Sequence, residues 1–400
     1  MDRCELKRAV EKKIAIWENE LKQLALNLWN HPETAWHEQY AVKTLCNFLN
    51  TNGIRTAAGF CGFPTAFRGE CGISEGPVFA FAAEYDALPP GHACGHNLIA
   101  AASAGAMCAA AAVLQEFNLP GKLVILGTPA EESGSGKVRL LEQGALEGID
   151  AVMMSHPAWC TVPDTGSLAI RRYDVSFHGV SSHAAGSPEL GVNALDAVVT
   201  LFNGVNAFRQ QMPEFCRIHG VVTNGGAMPN IIPAEASCRF YLRSADEEWM
   251  EKLDRRFSQM VQGASLIAGT SFTQKKYSID CRSRQPNGPL NESYLEMMTE
   301  LGEVVPPYSN QCRESSDFGD FSRAVPGAHP YFGIADHRIG AHSPEFMQAA
   351  QSPRGLTSML KSASALAYTA CRFLNEPEFR KAVKQNFEDG KTPRSFATGG

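Results

Sequence analysis

Two imidazoles and a thiol fall inside one short stretch, His92-Ala93-Cys94-Gly95-His96-Asn97, entered from Glu84-Tyr85-Asp86. Imidazole and thiolate are borderline-soft donors suited to zinc and its neighbours. The bland alternative is a buried cysteine beside two ordinary histidines. A second cluster, Pro129-Ala130-Glu131-Glu132, follows an apolar run directly. Adjacent carboxylates at the end of a buried strand meet desolvation and like-charge repulsion, and a cation relieves both. Neighbouring side chains also diverge, so one carboxylate can bind metal while the other serves a water as general base. The alternative there is a solvated helix start whose acids favour the macrodipole. Ser155-His156-Pro157 and Gly340-Ala341-His342-Ser343-Pro344 add two further histidines. A lone His-Pro is weak evidence, and the joint occurrence of the four clusters carries the argument.

Elements that position these groups follow from periodicity. Val78 to Ala83, Lys122 to Gly127 and Ala151 to Ser155 are short apolar runs, as buried strands of a mostly parallel sheet would be. The alanine-rich stretch Leu98 to Leu114 reads as a helix between the first two, too weakly hydrophobic for a membrane span. Trp17, Leu21, Leu24 and Leu28 recur at helical spacing and predict an amphipathic first helix, with a second from about Glu38 to Asn50. All four clusters then lie where strands end, the usual place for sites in open α/β sheets.

The pattern changes near residue 168. Ser167 to Gly179, Ile218 to Thr223, Ala236 to Arg243 and Ser271 to Ile279 read as strands, with helices at Val192 to Gln211 and Ala245 to Ala268. That order, βαββαβ, predicts an inserted ferredoxin-like domain. The expected organisation is a helix-sandwiched, mostly parallel α/β domain formed by residues 1–168 and 283–400, with a lid and dimerisation domain at 169–282. Ser358 to Leu374 predicts the last helix.

Gross composition narrows the function class. The chain has 400 residues, 44% hydrophobic and 20% charged, with a formal charge of −6, which argues against a phosphate-backbone partner. The charged start, Met1 to Lys13, lacks an apolar signal region, and the twelve irregularly spaced cysteines read as reduced thiols. The expectation is a cytoplasmic protein with no nucleic-acid or membrane partner.

Taken in order, His92 to Asn97, Pro129 to Glu132, Ser155 to Pro157 and His342 resemble the aminoacylase and carboxypeptidase G metallopeptidase family. The Cys94-Gly95-His96 variant is similar to its amidohydrolase branch, which includes auxin-conjugate, hippurate and p-aminobenzoyl-glutamate hydrolases. Glu84 to Pro89 and Asn97 look closest to a vertebrate member acting on β-alanyl dipeptides. The resemblance spans about residues 20 to 375 and implies two divalent ions, zinc first with manganese or cobalt as alternatives. It implies Cys94, His96, Glu132, His156 and His342 as ligands, a bridging Cys94 thiolate, Glu131 as general base, and Asp86 orienting a ligand histidine. Gly179 to His183, then Pro188 and Asn193-Ala194, match the family's lid segment. His183 is implied to reach the site of a partner in a homodimer and polarise the scissile carbonyl. Asn230 and Arg243 are implied to hold a substrate carboxylate, as an amide donor and a bidentate guanidinium can.

Departures from the branch limit the transfer. Many relatives carry Asp where this chain has Asn97, and Asp-Met-Asp where it has Glu84-Tyr85-Asp86. Ser315 to Phe318 resembles a segment near the family's substrate pocket, while His178, His219 and His337 match no role. The expectation is hydrolysis of a small dipeptide or N-acyl amino acid. Its rivals are amide formation at the same site, a lapsed binding protein, and a thiol hydrolase using Cys94 as nucleophile.

Overall fold

The computed structural model describes residues 2–73, 75–308 and 314–391. The chain forms two compact units. The first comprises Met1–Gly166, Gln285–Asn310 and Asp320–Gly400, and the second Ser167–Arg284 with the described part of Gln311–Gly319. Sequence reasoning places the junctions at 168/169 and 282/283. The second unit draws its two chain crossings together, because Arg284 N–H donates to Ser167 Oγ at 2.9 Å and Ile170 N–H to the Cys281 carbonyl at 2.9 Å. It also recruits residues 314–319, expected in the first domain, through Leu168 N–H on the Glu314 carbonyl at 2.7 Å.

The strands are β1 (Arg55–Ala58), β2 (Phe67–Gly72), β3 (Val78–Ala83), β4 (Lys122–Gly127), β5 (Ala151–Met153), β6 (His156–Ala158), β7 (Ala169–His178), β8 (Cys216–Asn224), β9 (Glu235–Ser244), β10 (Ser271–Lys276), β11 (Gly327–Ala328) and β12 (Tyr331–Gly333). In the first unit the sheet order is β1-β2-β4-β3-β5-β11. The β4, β3, β5 and β11 neighbours run parallel, while β1 and β2 add an antiparallel edge. Near-continuous apolar runs in β3 and β4 match strands covered on both faces. Sequence reasoning missed β1 and β2 because β1 is short and largely exposed, and glycine and charge interrupt β2.

Helix His96–Glu116 is long and apolar enough to cross a membrane, but 94% of its apolar window is buried inside the protein, as a core helix would be. Its alanines permit close packing. A Cβ at Gly105 would sit 2.7 Å from Leu21 Cδ1, so no larger residue fits there without repacking. The long helix Pro353–Asn375 shares the same core. The helix expected from Trp17 to Leu28 occupies Glu18–Asn30, and a further helix precedes it. Arg3–Ile16 buries Leu6, Val10 and Ile14 at helical spacing, a stripe diluted in sequence by basic residues.

The second unit has the sheet order β10-β7-β9-β8, antiparallel throughout, which is the ferredoxin-like order. Tyr173, Val175, Phe177, Cys238, Phe240 and Leu242 alternate onto a core shared with helices Ala194–Arg209 and Glu247–Ala268. Both helices start at side-chain caps. Asn193 Oδ1 accepts from Leu195 N–H, and Asp246 Oδ1 from Trp249 N–H. The intervening positions of β7, β8 and β9 point to the opposite, helix-free face.

Candidate metal centre

Three parallel strands deliver the first unit's polar cluster. The chain leaving β3 carries Glu84 and Asp86, the chain leaving β4 carries Glu131 and Glu132, and His156 follows β5. Cys94 and His96 flank Gly95, whose φ of 75° turns the chain into helix His96–Glu116. A Cβ at Gly95 would stand 2.6 Å from Pro157 Cγ, so glycine lets the Cys94 loop approach His156-Pro157. His342 arrives from a distant loop, and its backbone N–H donates to the Ala93 carbonyl at 2.9 Å. Two non-glycine residues here hold positive φ, Ala130 at 60° and His342 at 65°. Such strain persists where surrounding structure over-determines it, often at functional sites.

The donor atoms converge. Three sets each lie within 4.8 Å: Cys94, His96 and His156; Cys94, Glu132 and His342; and His96, Glu131 and Glu132. Cys94 therefore belongs to one set with His96 and to another with Glu132 and His342. Cys94 Sγ is 3.5 Å from His156 Nε2, and Glu132 Oε1 is 3.4 Å from His342 Nε2 and 4.0 Å from His96 Nε2.

These residues fit a divalent metal. His96 Nε2 and Glu132 Oε1 are buried and make no hydrogen bond, an arrangement that is costly unless a cation accepts their lone pairs. Sulfur, imidazole and carboxylate together form a donor set of the zinc type. Burial pushes the Cys94 thiol up, so a cation in contact is what would return it to thiolate. The outer contacts are ordered to match. Asp86 Oδ1 lies 3.1 Å from His96 Nδ1, its Oδ2 accepts from Glu132 N–H at 3.0 Å, and His156 Nδ1 lies 2.8 Å from the Pro157 carbonyl. The two histidine contacts point the opposite nitrogen of each ring inward. Burial raises the Asp86 carboxyl, but the hydrogen bond and charge of His96, the Glu132 N–H and the Lys137 charge together outweigh it and hold the group below the usual range. The His342 side chain is 53% exposed against 1% for His96, which leaves one side of the cluster open.

In the second unit, His183 Nδ1 accepts from the backbone N–H of Ala185 and Gly186 at 3.2 and 2.9 Å. The neutral ring then carries its proton on Nε2, where it is available to donate. Ala184 N–H donates to the Asn230 carbonyl at 3.0 Å, so the segments bearing His183 and Asn230 are neighbours. Arg243 stands apart from them on β9, donating from Nη1 to Ser315 Oγ at 2.9 Å and from Nε to His219 Nε2 at 3.2 Å.

The model of peptidase family M20/M25/M40 matches residues 80–365. The human Xaa-Arg dipeptidase is 35% identical over 389 residues, covering 92% of this chain and 88% of that protein. The chain belongs to peptidase family M20/M25/M40. An Escherichia coli relative, one of the chains of p-aminobenzoyl-glutamate hydrolase, is 29% identical over 74% of this chain and 66% of its own length. Among solved structures, a Bacillus subtilis dinuclear metal-binding peptidase from the M20 family superposes with a TM-score of 0.68 at 20% identity, covering 90% of this chain and 99% of that one. At that identity the superposition establishes the M20 fold, an α/β domain with an inserted lid, and no more.

Several residues of this M20 chain near the cluster had no role assigned from the sequence. Glu84 Oε2 lies 3.5 Å from His96 Nε2, and its Oε1 lies 2.5 Å from Lys137 Nζ, both side chains being buried. Glu38 Oε1 accepts from Trp36 N–H and Ala130 N–H, each at 2.9 Å, and so holds the backbone that introduces Glu131. His329 stacks 5.4 Å from the His156 ring. A signal for His329 was present, since Ala328-His329-Pro330 repeats the His-Pro pair of 156–157 after a short strand. Conversely, His92 belongs to none of the converging donor sets, and its Nε2 lies 3.1 Å from the Leu28 carbonyl.

Proposed function

We propose that this M20-family chain hydrolyses the amide bond of a small dipeptide or N-acyl amino acid, with two divalent ions held by Cys94, His96, Glu132, His156 and His342. The observation carrying the reading is the convergence of sulfur, imidazole and carboxylate donors, with Cys94 shared between donor sets. When bound, the ions supply Lewis-acid polarisation and a nucleophile available at neutral pH. Zinc is the first assignment from the donor types, with manganese or cobalt as alternatives.

The remaining work falls to the chain. Glu131, whose carboxylate belongs to the donor set of His96 and Glu132, takes a proton from the attacking water and returns it to the leaving amine. Asp86 fixes the His96 ring. His183, reaching the site of the second copy in a homodimer, donates from Nε2 to the oxygen that becomes negative in the tetrahedral stage. Arg243 and Asn230 hold the substrate carboxylate, the guanidinium through two parallel bonds.

The relatives leave the departing amino acid open, since one is an Xaa-Arg dipeptidase and another belongs to a p-aminobenzoyl-glutamate hydrolase. A homodimer through the second unit is part of the proposal. Its edge strand β8 exposes Val221 and Val222, an apolar edge with no strand beyond it among the described residues, of the kind that pairs with a second copy. A thiol that must stay reduced to serve as ligand supports a cytoplasmic site of action. The test is hydrolysis of a panel of dipeptides and N-acyl amino acids before and after chelation. Turnover lost on chelation and restored by zinc or manganese supports the reading, and chelator-resistant turnover contradicts it.

A further inference from the structure

The helix-free face of the second unit's sheet is cationic near the end where β9 stops and β8 starts. Register sets Arg217 of β8 directly opposite Arg243 of β9, and Arg172 of β7 opposite Tyr241, two residues from Arg243 on the same face. Like charges directly opposite one another destabilise a sheet, so this placement needs a compensating group.

Two other guanidiniums on β7 and β9 find one within the same unit. Arg239 makes a two-bond pair with Asp174, and Arg171 is paired with Glu251 and Asp254. Arg172 and Arg243 have no carboxylate partner among the described residues. Arg172 Nη1 donates to Ser278 Oγ at 2.8 Å, and its guanidinium lies 5.4 Å from the Tyr241 ring centre. Arg243 meets only the neutral Ser315 and His219. Burial and the nearby Arg172 charge both push the Arg243 guanidinium down, a direction that a bound anion reverses. Arg217 turns its own guanidinium to the Glu214 and Cys216 carbonyls and leaves this part of the face to the other two.

We propose that Arg172 and Arg243 form a paired anion site for the two carboxylates of an acidic amino acid, so that the preferred amide substrate releases glutamate or aspartate. Diagonal neighbours on adjacent antiparallel strands stand about 7 Å apart. That spacing suits the α-carboxylate and the side-chain carboxylate of one such amino acid. Ser278, Ser315 and Tyr241 keep the guanidiniums in place without neutralising them. The inference rests on the proposed function in one respect, that Arg243 receives the carboxylate of the leaving residue.

The test uses the metal-loaded full chain, with Arg172→Gln and Arg172→Lys beside the wild type. Calorimetry with free glutamate and glutamine reads the anion site directly, and steady-state hydrolysis of N-acyl-glutamate and N-acyl-glutamine over several acyl groups reads its use. We expect the wild type to favour glutamate at least about tenfold in both, through KM in turnover, as loss of a charge-assisted contact implies. That preference should collapse towards unity in Arg172→Gln and return in part in Arg172→Lys. Equal preference in wild type and Arg172→Gln, or a wild type that binds glutamine as well as glutamate, overturns the anion site. Arg172-dependent glutamate binding by a wild type that hydrolyses none of the amides sustains the anion site and removes the amidohydrolase reading.

Discussion

Asp86 Oδ1 stands 3.1 Å from His96 Nδ1, and the other oxygen of the same carboxylate accepts the Glu132 N–H at 3.0 Å. One buried side chain thus orients donors that reach the centre from two different strands. Asp86→Ala should weaken metal binding by about 10- to 100-fold, the usual cost of losing an outer-shell partner, while the fold persists. Competition with a coloured chelator measures it, and unchanged affinity would show that the contact orients nothing.

Glu131 and Glu132 are adjacent in sequence and are proposed to differ in role. Glu131→Gln should retain the metal of the wild type and lose turnover by about 10²- to 10⁴-fold, the range for a general base. Stoichiometry and kcat measured on one preparation separate the roles. A variant that turns over normally would transfer the proton chemistry to another group.

His183 has its Nδ1 committed to two backbone N–H groups, which leaves Nε2 to donate. His183→Ala should lower kcat by about 10²- to 10³-fold, as removal of an oxyanion donor does. A rate like that of the wild type would remove it from the mechanism.

Much of this was legible in the sequence, for identifiable reasons. β3 and β4 declared themselves as apolar runs, and the groups after them landed at strand ends because parallel sheets put them there. Cys94, His96, Glu132, His156 and His342 are of types that seldom cluster without a cation. Glu38 and Lys137 were not legible, because a single acid or lysine reads as solvated surface until the fold buries it. The pairing of Arg172 with Arg243 was equally hidden, since strand register and not spacing along the chain makes them neighbours.

Glu38 supplies a pH prediction. Burial, with the Asp86 charge nearby, pushes its carboxyl from 4.5 to about 7. Between those values the folded protein keeps a proton that the unfolded chain releases, so stability falls as pH rises from 4.5 to 7 and is level above. The full difference is at most roughly 3 kcal/mol. Glu38→Gln cannot ionise, and its gain in Tm over the wild type, measured on chelated protein, should be larger at pH 8 than at pH 5. An equal difference at both pH values would show that Glu38 titrates normally.

The central claim is that these residues form a two-ion centre. Moles of each transition metal per chain, determined on full-length protein purified without added metal or chelator, test it most directly. The account predicts a ratio near two, dominated by zinc, manganese or cobalt, that falls in His96→Ala. A ratio near zero that added metal cannot raise would contradict it.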